Sequence, residues 1–476
     1  MTAQVKTENP LGYEKITTLL RRFALPSIVA MLVSSLYNIV DQMFIGNYVG
    51  VLGNAATTVA FPLTTICIAI SVLAGVGGAS RFSIELGKGN KEEAGRCIGN
   101  ALGFALILSV SYSVLAFIFR EQLLTLFGGG GETLRLAIEY SNFIIPGMPF
   151  LILSNVMSNF IRADGSPKFS MTCMVIGAVI NIGLDALFVS DWGFDWGMSG
   201  AAGATAISQL ISCSIALSYL RRFSAVKITK RTFSLQPLKM LNIASLGMSN
   251  CVNQLAICLV QIVMNSQLKT YAMMELAEAD WDTPLAAFGV VMKVNSIIIS
   301  VFVGMAQGMQ PIAGFNYGAR KFDRVKKVCF AASGICGGIA LIGILCFQLF
   351  PHYIIAIFGS GDDFYNEFAE KTMRIFLLMV PATGVQMTIA NFFSAIGKPT
   401  RGVILSLTRQ VLLIVPLMYI IPLFMGLDGV LFAAPITDFL AFLLALVFAL
   451  FEFKRAEYKG EPAIEQVASY DRLRRV

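Results

Sequence analysis

LPSIVAMLVSSLYNIVDQMFIG, residues 25–46, is an apolar run in which Asp41 is the sole charged residue. A helix needs roughly 20 mainly apolar residues to cross the hydrocarbon core of a bilayer, and this run is long enough. An ionisable group inside such a span is costly to bury and marks a functional site by default. The stretch therefore sets two expectations together: a spanning helix, and a polar site within it.

Eleven further runs of the same kind follow. With the first, at 19–45, they fall near 55–80, 97–119, 136–160, 169–189 and 200–220, then 241–268, 285–312, 328–350, 373–396, 403–425 and 429–453. Across 476 residues the chain is 56% hydrophobic and only 14% charged, with a mean hydropathy of +0.71. A soluble protein carries about a quarter charged residues, so lipid is the solvent for most of this chain. Its 36 Phe and 42 Gly suit lipid-facing and closely packed helices respectively. The fold class is thus all-α: a polytopic membrane protein of twelve transmembrane helices.

Lys and Arg concentrate on the cytoplasmic side of membrane proteins. With the N-terminus inside, 29 of the 36 basic residues fall in inner segments, including Lys6, Lys88, Arg96, Arg231, Arg324 and Lys398. Outer loops are acidic, as at Glu275, Glu278, Asp280 and Asp282. Both termini are expected in the cytoplasm of a multi-pass cell-membrane protein. The asymmetry accounts for the net charge of +7 with no nucleic-acid partner. The polar tail 454–476 is expected on the cytoplasmic side, where it could touch anionic lipid.

The nine cysteines are scattered singly and read as small buried hydrophobes. One histidine, His352, leaves no basis for His-ligated metal sites or His-based catalysis. The N-terminus has no short signal-peptide core, so the first span is expected to do the targeting.

The two halves resemble each other. Gly87 matches Gly318, 231 residues on; LLTLFGGG near Phe127 matches IIAIFGSG near Phe358; IRADGSPK matches FSAIGKPT. Three matches at nearly one spacing, in equivalent loops, define a repeat of six spans. An even number of spans per repeat makes the repeats parallel, so two six-helix lobes are related by a pseudo-two-fold axis along the membrane normal. The lobes are 1–220 and 238–453, joined by the basic linker 221–237.

The stretch 25–46, GVGGASRFSIELGKGN (75–90), NFIRADGSPK (159–168), NIGLDALFV (181–189) and GMQPIAGFNYGA (308–319) resemble the multidrug and toxic compound extrusion transporters, end to end. The resemblance implies an antiporter, acting as a monomer, in which H⁺ or Na⁺ enters while an amphipathic, often cationic compound leaves. Spans seven and ten carry amides and no acid, whereas the first lobe has Asp41 and Asp185. This is similar to the DinF-like branch, in which an Asp on span one, an Asn/Asp pair on span five and a Thr on span six form the coupling site. The matching residues here are Asp41, Asn181, Asp185 and Thr205.

Tyr37, Asn38 and Asp41 share one helical face, as do Asn181 and Asp185. A buried carboxylate tends to take up a proton, and two together can instead hold Na⁺ with amide and hydroxyl oxygens. Asp41 is expected as the main coupling residue, with Asp185 its partner and Asn181, Asn155 and Thr205 as hydrogen bonders or Na⁺ ligands; the alternative is a static buried network. Pro26 frees a backbone carbonyl in the same span and is the candidate hinge, or else a fixed kink. Lys293, Arg409 and Asp438 are the intramembrane charges of the second lobe and, with Asn38, the candidates for lining a substrate cavity. Arg409 is expected to pair with Asp438, while Lys293 would contact an anionic or zwitterionic substrate or pair with Asp438.

No cofactor is expected. The glycines 128–131 lack the Lys-Ser/Thr of a phosphate loop, and no Walker motif is present. A membrane-embedded transferase would need acidic clusters, and Asp362–Asp363 is the only adjacent aspartate pair. A flippase or exporter for a lipid-linked or anionic metabolite is the competing transport reading.

Overall fold

In a bilayer every backbone amide must find its partner within the protein, so long apolar runs close into helices. The computed structural model describes residues 9–191, 193–276, 283–357 and 363–454. Lys6, Glu278, Asp280, Asp282, Asp362 and the tail beyond Lys454 lie outside the described residues.

The first lobe comprises α1 (Ile16–Phe44), α2 (Val51–Gly87), α3 (Lys91–Ile118), the short α4 (Arg120–Leu126), α5 (Gly131–Ala163), α6 (Pro167–Val189) and α7 (Gly197–Ser218). The second comprises α8 (Pro237–Glu275), α9 (Thr283–Gly318), α10 (Phe322–Leu349), the short α11 (Pro351–Ile357), α12 (Asp363–Phe376), α13 (Val380–Ala395), α14 (Pro399–Leu407), α15 (Ile414–Ile420) and α16 (Pro422–Phe453). Eleven helices are long and apolar enough to cross a membrane, or twelve when α12 and α13 count as one span. The repeat extends to the helix ends: α10 and α11 begin 231 residues after α3 and α4. All nine cysteines are free.

Three boundaries differ from the sequence reading. The tenth span, expected as one helix, is α12 and α13 bent by 47°. Pro381, in the first turn of α13, has no amide to continue the helix behind it. The eleventh passes through a π-helical turn at Thr408–Leu413, which absorbs one residue out of register. The twelfth begins at Pro422 and kinks at Gly426, where φ is 57°.

The lobes meet along α1–α9, α2–α8 and α2–α9. Glycines make this seam. A Cβ on Gly87 would strike the carbonyl oxygen of Phe315, and one on Gly318 would strike that of Ile84. The same reciprocity joins Gly77 to Ile243 and Gly308 to Ala24, then Gly247 to Leu73 and Gly304 to Ile28. Each contact has its mate in the other lobe, so the pseudo-two-fold axis runs through the seam. Gln310 adds bonds to Val76 O (2.8 Å) and Ser80 Oγ (2.9 Å).

A strap closes the same end. Residues 9–15 cross from α1 to the second lobe, where Arg324 donates to the carbonyls of Leu11 (3.1 Å) and Glu14 (2.7 Å). Buried Asn316 also donates to Leu11 O, at 2.9 Å, and Lys321 to Gly12 O, at 3.0 Å. Lys239 on α8 meets Glu93 on α3 at 2.5 Å. Toward the other end the contacts give out. Among the described residues, the farthest hydrogen bond between the lobes in that direction joins Ser35 to Ser300 at 2.5 Å. The hydrogen bonds that close the bundle thus gather at the end bearing residue 9.

Forcing side-chain volume into a tight contact typically costs about 1–3 kcal/mol. Gly87→Val and Gly318→Val are therefore expected to lower the melting temperature of the purified protein. The two shifts should be similar, because the contacts are symmetry mates. A thermal-shift series checks both points.

Candidate coupling site

The packing of α1 on α6 brings Asp41 to Asp185, with their carboxyls within hydrogen-bonding reach. Asp185 is fully buried and Asn181, one turn before it, is 1% exposed. Asn181 Nδ2 donates to Thr205 Oγ1 on α7 at 3.3 Å. Tyr37, one turn before Asp41 on α1, lies in the neighbourhood of both carboxyls. Asp41, Asp185, Asn181, Thr205 and Tyr37 are thus one cluster inside the first lobe.

The decisive feature is unmet acceptors. Asp41 Oδ1, Asn181 Oδ1 and both carboxylate oxygens of Asp185 are buried with no hydrogen-bond donor. A static buried network would spend its acceptors on donors, since an orphaned polar atom costs about 1–3 kcal/mol. Four buried oxygens without donors leave acceptor capacity that a donor or a cation could fill. No group of three or more His, Cys, Asp or Glu that could hold a metal occurs among the described residues. A sodium ion here would rest on two carboxylates, an amide oxygen and a hydroxyl; a proton would bridge the carboxyls.

Asn155, expected in the coupling site, and Asn38, a candidate for the substrate cavity, make only local bonds among the described residues. Asn155 contributes its backbone carbonyl to Asn159, at 2.8 Å, and no side-chain hydrogen bond of its own among the described residues. Asn38 is exposed and turns back to its own helix, donating to Ser34 O at 2.7 Å. Conversely, Tyr140 on α5 lies near Asp41, Asp185 and Tyr37 and escaped the sequence reading. Its only signal there was a phenol inside a span that needs a polar neighbour.

Pro26 is buried within α1, which runs unbroken through it. It sits between Ala24 and Ile28, the two α1 residues seated on Gly308 and Gly304. In the second lobe, Arg409 Nε bonds Asp438 Oδ1 at 2.7 Å, and Thr383 donates to the other oxygen at 2.7 Å. Asp438 is therefore satisfied without Lys293. Lys293 is exposed on α9 and makes no ion pair with a described residue. It continues, one heptad on, the α9 face that carries Ser300 and Gln307 against α1.

Two lobes of membrane-spanning helices, with buried carboxyls inside one of them, have the architecture of a membrane transporter. A family model matches residues 26–187 and 256–420, and the chain belongs to that family, MatE. It is 24% identical over 446 residues to the multidrug export protein MepA of Staphylococcus aureus strain MSSA476, covering 93% of this chain and 96% of MepA. It is 27% identical over 459 residues to an FAD transporter of Shewanella oneidensis, covering 92% and 95% of the two chains. Among solved structures, the outward-facing conformation of a multidrug resistance MATE family transporter superposes with a TM-score of 0.87. The identity there is 25%, over 94% of this chain and 98% of that one.

A ligand that binds only the folded state stabilises it by RT ln(1 + [L]/Kd), about 1.4 kcal/mol at ten times Kd. If Na⁺ is the species received, salt titration should raise the melting temperature with NaCl but not with choline chloride. Lower pH should shrink that rise, because protons compete for the same oxygens. Asp41→Asn and Asp185→Asn should each abolish the ion dependence.

Proposed function

We propose that this protein is a cation-coupled antiporter that carries amphipathic, cationic compounds out of the cell in exchange for H⁺ or Na⁺. The observation that carries the reading is the set of four donorless buried oxygens on Asp41, Asn181 and Asp185. Two facing carboxyls need a proton or a cation between them, and filling or emptying the site changes the charge inside α1 and α6. The relative named as a multidrug export protein supports drug export as the direction of transport.

Basic residues at the closed end, among them Lys88, Arg222, Lys227, Arg320 and Lys321, support a cytoplasmic location for that end. On that orientation both termini are cytoplasmic, and the cleft opens outward. The glycine seam and strap then form the inner gate, which must part for a substrate to enter from the cytoplasm. Pro26 lies inside that gate. Its missing amide lets α1 bend where the seam has to release.

One observation favours a second reading. Lys293 is an unpaired cation on the cleft face of α9, suited to an anionic or zwitterionic group on the substrate. A relative named as an FAD transporter fits that chemistry.

Proteoliposomes loaded with a cationic dye separate these readings under imposed H⁺ and Na⁺ gradients. Wild type should export dye, and the effective gradient names the ion. Asp41→Asn and Asp185→Asn should slow initial efflux about tenfold or more, equivalent to about 1.4 kcal/mol. Unchanged efflux in both would remove the coupling site. If Lys293→Gln leaves dye efflux intact but abolishes efflux of an anionic flavin nucleotide, the second reading replaces the first.

Pro26→Ala restores an amide to α1 and should lower turnover while leaving dye binding unchanged. Equal turnover in wild type and variant would make Pro26 a fixed element of the seam.

A further inference from the structure

The linker does not swing free between the lobes. It runs along α3, whose Gly95, Gly99 and Gly103 lie one turn apart on a single face. Thr232 sits on Gly95 and Gly99, and Leu235 sits on Gly103. Asn100 fastens it from both sides, donating to Ser234 O at 3.1 Å and accepting from Gln236 N at 2.7 Å.

Where the linker meets the first turns of α3, a cavity of about 500 Å³ remains. Lys91 and Arg96 face it from α3, and Lys227 and Arg231 from the linker, against one acid, Glu92. Lys91, Lys227 and Arg231 make no ion pair with any described residue. Arg96 spends its terminal nitrogens on Glu92 (2.8 Å) and Glu93 (2.9 Å), yet its Nε is buried without an acceptor. Three cations without ion pairs round a concave space, beside a paired arginine with one unmet donor, call for a multivalent anion.

The surroundings say which anion. With α3 rising about 1.5 Å per residue, the linker descends roughly 12 Å along it from Gly95 to Gly103. Phe233 and Leu235, immediately after the cavity wall, are 46% and 50% exposed. The site is thus basic at its mouth and apolar just below, in the order of a phospholipid's headgroup and acyl chains.

We propose that this cavity binds the phosphate headgroup of an anionic phospholipid, whose chains lie along Phe233 and Leu235. A phosphate between Lys91 and Arg96 on one side and Lys227 and Arg231 on the other pins the linker to α3. The Glu93–Lys239 bond between the lobes is close by, so an occupied site also steadies the closed end. The proposal is independent of what the protein transports.

The test uses the full chain in nanodiscs of phosphatidylcholine, with and without phosphatidylglycerol. Phosphatidylglycerol should raise the melting temperature and remain attached to the protein in native mass spectra. The triple variant Lys91→Gln, Lys227→Gln, Arg231→Gln should lose more than half of that rise while melting as wild type does in phosphatidylcholine alone. A control triple, Arg221→Gln, Lys326→Gln, Lys327→Gln, removes equal charge elsewhere at the same end and should keep the rise. If the first triple retains the full rise, or the control loses as much, the cavity is no specific site. If inorganic phosphate in phosphatidylcholine discs reproduces the rise, the ligand is a soluble phosphate and the lipid assignment falls.

Discussion

The rest of the structure depends on a contact between bare backbones. Gly87 against Phe315 and Gly318 against Ile84 bring α2 and α9 so close that a single added carbon has no room. Between apolar helices in lipid there is no hydrophobic drive to associate, so close packing must supply the attraction. Glycines supply it without losing side-chain entropy. Because the contacts occur in symmetric pairs, each lobe presents nearly the same surface to the other. The joint is then a repeatable fit between two rigid bodies, suited to opening and closing.

One helix links this joint to the candidate coupling site. Along a single α1, Ala24 and Ile28 rest on the glycines of α9, and Asp41 faces Asp185 on α6. A change of charge at Asp41 acts on the packing of α1 against α6, and any tilt of α1 that follows is felt at Gly304 and Gly308. Pro26, between the two seated residues, is the point where α1 has least internal resistance to such a tilt. On the proposed function, the seam need only be tight enough to hold the empty state and loose enough for one neutralisation event to shift it. A coupling of 1–3 kcal/mol is the usual scale for such linkage.

Much of this was legible in the residues. Span count, the repeat and the candidate acids follow from hydropathy, spacing and the cost of charge in lipid, which act locally along the chain. The pairing of Arg409 with Asp438 was also readable, because a buried charge needs its opposite on an adjacent span. What the chain concealed were relations between distant helices. The stretch 308–319 stood out by resemblance, but Gly308, Gln310, Asn316 and Gly318 gain their meaning only when α2, α8 and the strap arrive. Tyr140 was hidden for the same reason: nothing in its own helix says that Asp41 and Asp185 are across from it. The bend between α12 and α13 was hidden because Pro381 lies inside one apolar run, 373–396, and hydropathy is blind to helix direction.

The repeat copies the scaffold but not the chemistry. In the first lobe the polar centre holds two carboxyls with unspent oxygens. In the second, a small cavity of about 10 Å³, room for one water, is lined by Ser249, Asn250, Asn253, Gln386, Asn391 and Ser406. Amides and hydroxyls can orient a ligand but cannot gain or lose a proton near neutral pH. The acids buried on α16 are already spent, Asp438 on Arg409 and Thr383 and Glu452 on Lys398 and Arg401. A symmetric pair of lobes thus carries an asymmetric electrostatic load. On the proposed mechanism, only the first lobe responds to the ion, and the second serves as the fixed surface against which α1 moves.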